Sequence, residues 1–354
     1  MLVSDSFHPW VGGGERQMQL TLARLDPAHW DITVVTRRLG DAPATSVVDG
    51  LRVRRVGTPT PSRAAAVRYL LGASRVVVRE RPDVVIALQI GSSALAATAG
   101  ARLARRARPL VVRLAGGSLA GTELQVRARS RVGRATTKVV LRAARAVVAP
   151  SAHLLEAPPA FAVALGAKGR VIPNGVAVPL DPPPVAARDG VVWVGRDDPV
   201  KGFDDYLALA RALPDETFLA AGPAARPDAP GNLRCLGWVD DVPGTVAHAA
   251  AFVSTSRHEG ISNAMLEALA AGVPVVAYDI EGNQRLAAFV DTGLQLVAVG
   301  DVGALTWAVR AALRDRPDVQ AHLPSFAETA AEWGDLLAGL ADTAPGRGPA
   351  HATH

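Results

Sequence analysis

Short runs of apolar, β-branched residues alternate along the chain with longer segments in which apolar residues recur every three or four positions. The short runs predict buried strands; they are Ile32–Thr36, Leu51–Val56, Val84–Leu88, Leu110–Leu114, Ala146–Ala149, Arg170–Ile172, Val191–Val194, Thr217–Ala221, Ala251–Thr255, Pro274–Tyr278 and Leu294–Val297. The longer segments predict helices, among them Glu15–Leu25, Phe203–Leu213, Asn263–Ala271 and Val302–Leu313. This alternation is typical of parallel sheets covered by helices, so the sequence predicts an α/β protein.

One proline-rich segment interrupts the alternation near the middle of the chain. Residues 177–184 read AVPLDPPP, and because proline fixes φ and removes a backbone donor, they predict a linker. The 354 residues are then expected to form two doubly wound domains, 1–173 and 174–323, with the linker at 177–190. Ligands of such domains bind at the carboxyl ends of the strands, so two facing domains would share one cleft. The tail 341–354 is expected to be disordered.

Composition excludes several classes of protein. The chain is 49% hydrophobic and has one cysteine, which excludes a wholly disordered chain, a disulfide framework and a cysteine-based zinc site. No apolar run reaches the roughly 18 residues of a spanning helix, and Met1–Asp5 lacks the features of a signal peptide. A cytoplasmic setting is therefore expected.

The net charge of +5 conceals an asymmetry between the halves. Residues 1–180 hold 26 of the 38 basic residues and 10 of the 33 acidic ones, a net charge of +16, which leaves −11 for residues 181–354. A general arginine bias would act on both halves alike. The two halves are therefore expected to meet different partners.

Three motifs are candidates for chemistry. The first is Gly12-Gly13-Gly14-Glu15, whose glycines can expose backbone N–H groups to an anion at the start of a helix. It is neither a dinucleotide fingerprint nor a Walker A loop. The alternative interpretation is a flexible turn between a strand and a helix.

The second motif joins the predicted strand Val191–Val194 to Gly195, Arg196 and, five residues later, Lys201, the only lysine of the acidic half. Two cations at the carboxyl end of a strand can neutralise a diphosphate. The alternative is that they pair with the nearby aspartates, which are Asp197, Asp198, Asp204 and Asp205.

The third motif is RHEGISNAMLE at 257–267. Ser262 or Asn263 is a suitable N-cap, so Glu259 is expected in a loop and Glu267 in the following helix. N–H groups at the helix start can hold a phosphate, and the two carboxylates can accept hydrogen bonds from sugar hydroxyls. Two glutamates eight residues apart mean little without this context.

A family resemblance rests on these motifs together. Glu259 and Glu267 have the E-x7-E spacing and are followed by ALAAGVPVVA at 268–277. Three other motifs occur in the order and spacing of the family: Gly-Gly-x-Glu (here Gly13-Gly14-Glu15, with one residue fewer), IPNGV at 172–176 and Gly195-Arg196…Lys201-Gly202. From about Ser4 to Val297 the chain thus resembles the retaining nucleotide-sugar glycosyltransferases of the GT-B fold, glycosyltransferase family 4. The resemblance implies a nucleoside-diphosphate sugar as donor, and a helix at about 324–340 that crosses back to the N-terminal, acceptor-side domain.

The resemblance also assigns roles to residues. Arg196 and Lys201 would bind the donor diphosphate, Glu259 would face the transferred sugar, and Glu267 would hold the nucleotide ribose; the first three are the expected catalytic residues. Further contacts to donor or acceptor would come from Gly13, Gly14, Trp238, Val239, Gly260, Ile261, Ser262 and Asn263.

The chain departs from the family pattern in several places. Its first strand is short, and Ala177 stands where the family often has an aspartate after Asn-Gly-Val. Ala115 stands where the family often has a histidine that contacts the donor sugar, and Arg285 stands where it often has a glutamate. The alanine weakens the expectation of a hexose with an ordinary 6-hydroxyl and leaves a 6-deoxy or otherwise modified sugar open.

The expected reaction is transfer of a sugar to an acceptor hydroxyl, without cofactor or metal, because the chain has no D-x-D triplet and its two cations can take the role of a divalent ion. The acceptor is expected to be a glycan, a lipid-linked molecule or a natural-product molecule. The alternatives are a GT-B-fold nucleotide-sugar epimerase and a nucleic-acid-binding protein. The last fits poorly, because aromatic residues are 5% of the chain and do not interleave with basic ones.

A basic stripe gives a final expectation. Six cations, Arg127, Arg131, Arg134, Lys138, Arg142 and Arg145, follow one another at spacings of three or four. The spacing predicts that all six lie on one face of a helix, with Val132, Ala135, Val139, Ala143 and Val147 packed on another face. The stripe is either a solvated helix face or a contact to an anionic partner, such as a phosphorylated acceptor or the inner face of a membrane.

Overall fold

The computed structural model describes residues 1–9, 12–58, 62–105, 107–179 and 182–342. These residues form two compact units. Unit 1 contains Met1–Gly116, Thr122–Gly175 and the chain from Phe326 onward, whereas unit 2 contains Gly117–Gly121 and Val176–Ser325. Most of the predicted tail lies outside the described residues, as do two residues of the predicted linker.

The strands are β1 (Leu2–Ser4), β2 (Thr33–Arg37), β3 (Thr45–Val48), β4 (Leu51–Val56), β5 (Val85–Leu88), β6 (Leu110–Arg113), β7 (Gly117–Ser118), β8 (Gly121–Thr122), β9 (Ala146–Ala149), β10 (Gly169–Val171), β11 (Val191–Val194), β12 (Phe218–Ala221), β13 (Leu233–Gly237), β14 (Ala251–Ser254), β15 (Val275–Tyr278), β16 (Val290–Thr292), β17 (Leu294–Val297) and β18 (Gln320–Ala321).

The α-helices are α1 (Gly13–Leu22), α2 (Arg63–Glu80), α3 (Ser92–Leu103), α4 (Glu123–Ala128), α5 (Arg131–Ala143), α6 (Pro159–Leu165), α7 (Phe203–Ala212), α8 (Val242–Ala247), α9 (Asn263–Ala270), α10 (Glu281–Ala287), α11 (Val302–Asp315) and α12 (Phe326–Asp342). Short 3-10 turns lie at Ala152–Leu155, Gly166–Lys168 and Val185–Ala187.

Unit 1 is built on a mostly parallel sheet with the order β10-β9-β6-β5-β1-β2-β4-β3, in which only the β3–β4 pair is antiparallel among the described strands. Apolar side chains of β5, β6 and β9 are buried on both faces of the sheet, as expected for a sheet with helices on both sides. The last helix, α12, belongs to this unit: Trp333 and Leu337 pack in one core with Leu2 and Leu22.

Unit 2 is built on a parallel sheet with the order β13-β12-β11-β14-β15-β17. One of its cores joins Trp193, Phe203, Tyr206 and Phe218, whose rings lie 4.9–6.2 Å apart in successive pairs. The two parallel sheets confirm the predicted α/β fold class.

The prediction of one long basic helix is wrong. Helix α4 ends at Ala128, and α5 starts anew with Ser130 as its N-cap, whose hydroxyl accepts the Gly133 N–H at 2.9 Å. Arg127 therefore lies on another helix than the rest of the stripe, and Arg145 follows the end of α5. The four members of the stripe on α5 itself are Arg131, Arg134, Lys138 and Arg142.

The predicted packing face of α5 is wrong at Val132, Ala135 and Val139, although Ala143 packs against the core and Val147 is buried in β9. The buried residues are Gly133, Thr137, Val140 and Leu141, whereas Val132 is 75% exposed and Val139 is exposed as well. Val140 and Leu141 belong to the main core of unit 1, so the helix packs through this face and leaves the other valines in solvent.

Candidate functional site

The strand order in the sheet of unit 2 reverses between the neighbouring strands β11 and β14. From β11 the chain passes outward to β12 and β13 and then returns to β14 on the other side of β11. The loops that follow β11 and β14 therefore leave adjacent strands at the same edge. Ligands of doubly wound sheets bind at such switch points, and these two loops carry Arg196, Lys201 and Glu259.

Hydrogen bonds from buried side chains fix the first of these loops. The Trp193 Nε1–H donates to Thr255 Oγ1 at 3.0 Å, and the Thr255 hydroxyl donates to the Lys201 carbonyl at 2.9 Å. Gly202 has φ +64°, and a Cβ there would collide with the Thr255 carbonyl. The backbone at Lys201 is thus held against the end of β14, and glycine is required at 202.

Lys201 and Glu259 form an ion pair. The Lys201 ammonium donates to Glu259 Oε1, which also accepts the Ser256 hydroxyl at 3.0 Å. The two side chains are only 23% and 16% exposed. The structure thus brings together two residues 58 positions apart that the sequence analysis placed in one site.

Arg196 lies on the same loop but remains in solvent. Its side chain is 88% exposed, and its Nη2 lies 3.1 Å from Asp198 Oδ2. The pairing with a neighbouring aspartate is thus present for Arg196, whereas Lys201 pairs with Glu259. The expected role of Arg196 at a diphosphate stays a prediction.

Helix α9 begins directly after the loop that follows β14 and carries Glu259. Ser262 is its N-cap, but the Ser262 side chain makes no capping hydrogen bond, so its hydroxyl is not committed to the helix backbone. Ile261 and Asn263 flank this cap, and Glu267 lies on the helix. An N-terminus of this kind attracts anions through its N–H groups and dipole.

Gly282 supports the same loop, which sequence reasoning did not anticipate. A Cβ at this position in the first turn of α10 would collide with the carbonyl oxygens of Glu259 and Gly260. The helix can therefore lie against the loop backbone only with glycine here. The signal in the sequence is the glycine of Glu281-Gly282-Asn283, three residues before Arg285.

Trp238 and Val239 follow β13 at the same edge of the sheet. The indole of Trp238 is exposed, and its Nε1–H donates to Asp240 Oδ1 at 3.0 Å. An exposed aromatic ring held by one hydrogen bond can stack on a base. Its expected contact with a nucleotide base stays a prediction.

Gly13 and Gly14 lie in unit 1, within the first turn of α1 rather than before it. A Cβ on Gly14 would lie 3.6 Å from Ala115 Cβ and 3.9 Å from Arg113 Nη1. Arg113 is buried and donates to Asn174 Oδ1 at 2.6 Å, and burial lowers its pKa to about 10. Gly14 thus lies close to a buried guanidinium that sequence reasoning missed.

A buried acid lies near this guanidinium. Burial raises the pKa of the Glu123 carboxyl to about 7, although the carboxylate accepts N–H groups of Ile90 and Ala115. Glu123 thereby connects the loops that follow β5 and β6, two neighbouring strands.

The described residues contain neither a metal-binding cluster nor a membrane-spanning helix. No group of three or more His, Cys, Asp or Glu side chains there could hold a metal ion. No helix in the same part of the chain is both long and apolar enough to cross a membrane.

Two protein-family models match the chain. The model described as "Glycosyl transferase 4-like domain" matches residues 12–175, and the model described as "Glycosyl transferases group 1" matches residues 188–315. The two matches are consecutive and together cover most of the sequence.

Curated relatives match over part of their length. The chain is 35% identical over 174 residues to phosphatidyl-myo-inositol mannosyltransferase of Mycolicibacterium smegmatis, which is 43% of this chain and 45% of that protein. It is 30% identical over 168 residues to 2-deoxystreptamine N-acetyl-D-glucosaminyltransferase of Streptomyces fradiae, 40% of this chain and 38% of that protein. The chain thus spans less than half the length of these relatives.

Solved structures resemble nearly the whole chain. Sucrose-phosphate synthase from Thermosynechococcus elongatus superposes with a TM-score of 0.68 at 20% identity, covering 96% of this chain and 92% of that one. Anabaena HepE in complex with UDP-glucose superposes with a TM-score of 0.67 at 19% identity, covering 96% and 97%. At these identities the likeness shows the fold.

Proposed function

The chain belongs to the family 4-like glycosyltransferases and has the GT-B fold, and from this we propose that it moves a sugar from a nucleoside-diphosphate sugar to an acceptor hydroxyl, with retention at the anomeric carbon and without a metal ion. The observation that carries the proposal is the Lys201–Glu259 pair at the switch point of unit 2. In this pair, Lys201 is the cation that would bind the departing diphosphate, and Glu259 is the carboxylate that would bind the sugar.

Lys201 stabilises the leaving group in this proposal. Negative charge develops on the diphosphate as the glycosidic bond breaks, and preorganised donors at that place give the largest kind of electrostatic help. The donors are the Lys201 ammonium, the exposed Arg196 guanidinium and the N-terminus of α9. On binding, a phosphate oxygen shares Lys201 with Glu259, whose Oε1 now accepts it.

The two glutamates have separate roles. Glu259 accepts hydrogen bonds from hydroxyls of the transferred sugar, and Glu267, on α9, accepts them from the nucleotide ribose. Trp238 and Val239 contact the base, and the backbone of Gly260, Ile261, Ser262 and Asn263 contacts sugar and phosphate. Gly13 and Gly14 of unit 1 contribute to binding of phosphate and acceptor.

Retention follows from a front-face displacement. The acceptor oxygen forms its bond to the anomeric carbon on the side from which the diphosphate departs. The acceptor proton passes to a phosphate oxygen of the leaving group. Charge and protons balance without a protein nucleophile or a metal ion.

A panel of nucleotide sugars tests the proposal. UDP-, GDP-, ADP- and dTDP-sugars, including 6-deoxy sugars, are incubated with the enzyme, and release of nucleoside diphosphate is measured with and without candidate acceptors. We expect one donor to be consumed faster with an acceptor and the product to keep the anomeric configuration by NMR. Turnover to an isomeric nucleotide sugar without any acceptor would instead identify an epimerase.

We further propose a lipid-linked acceptor and a peripheral contact of unit 1 with the inner face of a membrane. On α5, Arg131 and Arg142 are exposed beside Val132 and Val139, so aliphatic side chains lie among cations as in interfacial helices. Relatives named for phosphatidyl-myo-inositol and lipopolysaccharide core acceptors agree with this choice.

Vesicle sedimentation tests the membrane contact. Each cation near an anionic surface contributes about 1 kcal/mol, so binding to phosphatidylglycerol vesicles should be measurable at low salt and should weaken at high salt. Val132→Asp should weaken it, whereas Val163→Asp, at an exposed valine on α6, should not. If the protein ignores anionic vesicles even at low salt, a water-soluble acceptor becomes the better proposal.

A further inference from the structure

Two consecutive aspartates in the first turn of α7 each bind one arginine. Asp204 Oδ1 accepts Arg226 Nη1 at 2.7 Å, and Asp205 Oδ2 accepts Arg257 Nη2 at 2.6 Å. The two carboxylates thus lie in the same turn of the same helix, and each binds an arginine. They differ in burial, because the Asp204 side chain is 81% exposed and that of Asp205 is 18% exposed.

Arg257 lies where the two loops of the candidate site meet. Its backbone N–H donates to the Val200 carbonyl at 2.8 Å. Val200 directly precedes Lys201, and Arg257 precedes Glu259 by two residues. Arg257 therefore joins the backbone that presents the carboxylate to the backbone that presents the ammonium, in addition to the bond from the Thr255 hydroxyl to the Lys201 carbonyl.

A second donor holds the Asp205 carboxylate in place. The hydroxyl of Tyr278, at the end of β15, donates to Asp205 Oδ2 at 2.9 Å. Burial, together with the nearby Asp205 carboxylate, raises the pKa of this hydroxyl, so it remains a donor at neutral pH. Asp205 is thus fixed from its own helix and from β15.

We propose that Asp205 is a positioning residue for Glu259: by holding the Arg257 side chain, it sets the place of the Glu259 carboxylate relative to Lys201. The proposal rests on the proposed function of these two residues. Asp204 does not hold this loop, because its partner Arg226 lies outside 255–262; Arg226 binds Asp228 at 2.9 Å and lies 3.7 Å from Asp197.

Hydrogen exchange tests the placement without relying on activity. Asp205→Asn removes the charge with little change in shape, and Asp204→Asn is the matched control one residue away. We expect peptides that cover 255–262 to exchange at least several-fold faster in Asp205→Asn than in wild type, and to be unchanged in Asp204→Asn. Equal protection of this loop in both variants would overturn the proposal.

Kinetics separate positioning from a purely structural role. A small displacement of a catalytic group costs up to roughly 100-fold in rate, so we expect kcat for the best donor to fall about 10- to 100-fold in Asp205→Asn, with its KM nearly unchanged. Asp204→Asn should keep kcat. The double variant Asp205→Asn/Arg257→Met should be no slower than the slower single variant, because both remove one link.

The outcomes distinguish the two proposals. If thermal stability falls in Asp205→Asn but kcat does not, or if the two single variants add in the double variant, Asp205 only stabilises the fold. If the wild type consumes no nucleotide sugar of the panel, the proposed function is wrong, and the exchange experiment still decides whether Asp205 holds the loop.

Discussion

Replacing Glu259 with glutamine should tighten nucleotide binding while it slows transfer. In the present structure Glu259 holds Lys201, so a diphosphate competes with a carboxylate for the same ammonium. Glutamine keeps the shape of the side chain but removes the competing charge. Simple loss of a binding residue would instead weaken both binding and transfer.

The magnitude follows from the burial of the pair. Unit charges 4 Å apart interact with about 4 kcal/mol at an effective dielectric constant near 20. Both side chains are less than a third exposed, yet solvent screens part of this energy and glutamine retains a hydrogen bond, so about 1–2 kcal/mol remains. The dissociation constant of the nucleoside diphosphate should then fall roughly 5- to 30-fold.

Transfer should change in the opposite direction. A hydrogen bond to a charged group is worth about 1.5–3 kcal/mol, so loss of the Glu259 charge at the sugar should reduce kcat/KM by roughly 10- to 100-fold. Calorimetry with UDP, GDP and ADP on wild type and Glu259→Gln measures binding. Glu267→Gln is the control, for which we expect weaker binding because the ribose loses its acceptor.

Weaker nucleotide binding in Glu259→Gln, by the same factor as in Glu267→Gln, would refute this reasoning. Such a result would mean that both carboxylates bind the nucleotide and that neither of them binds the transferred sugar. A gain in affinity that disappears at high salt would agree with the electrostatic origin.

Three further predictions concern charge and pH. Lys201→Ala and Arg196→Ala should each reduce transfer roughly 10²–10³-fold and weaken diphosphate binding; rates within a few-fold of wild type would show that the site is misassigned. Activity should survive EDTA, and a complete loss that Mg²⁺ or Mn²⁺ restores would contradict the metal-free mechanism. Burial raises the pKa of Glu123 from 4.5 to about 7, so the native state keeps a proton that the unfolded chain loses, and the free energy of unfolding should fall by up to about 3 kcal/mol as pH rises from 4.5 to 7. Urea melts should show a flatter pH dependence for Glu123→Gln, and an unchanged slope would exclude this source.

Local patterns predicted the buried central strands well, because such strands are short and almost wholly apolar, but they missed the edge strands β3 and β13, which are less apolar. The run Val191–Val194 was placed without error, and Leu110–Leu114 differs from β6 by one residue. The basic stripe failed for a physical reason that the same sequence contains. A spacing of three or four residues between cations does not reveal that the helix is interrupted at Ser130, whose side chain caps a new helix.

The sequence predicted which residues belong to the candidate site, but it did not predict that Lys201 and Glu259 form an ion pair. Lys201 and Glu259 each followed a predicted strand, so both were expected at one edge of a sheet. That they bind each other depends on which strands are neighbours, since β11 pairs with β14 although β12 and β13 lie between them in the sequence. Asp205 was considered only as a partner of Arg196 or Lys201 for the same reason, because its actual partner Arg257 is 52 residues away.

The order of the chain in unit 1 has a consequence for biosynthesis. Helix α12 buries Trp333 in a core that also contains Leu2, yet the stretch Val176–Ser325, which belongs to unit 2, is made between them. At about 5–20 residues per second, a ribosome needs on the order of ten seconds to make that stretch, during which the nascent first unit lacks its closing helix. Unit 2 is almost continuous in sequence and can complete its sheet first. The core of the first unit can therefore be completed only after unit 2 has been made, and we expect a chaperone that binds nascent chains to bind its apolar surface until α12 leaves the ribosome.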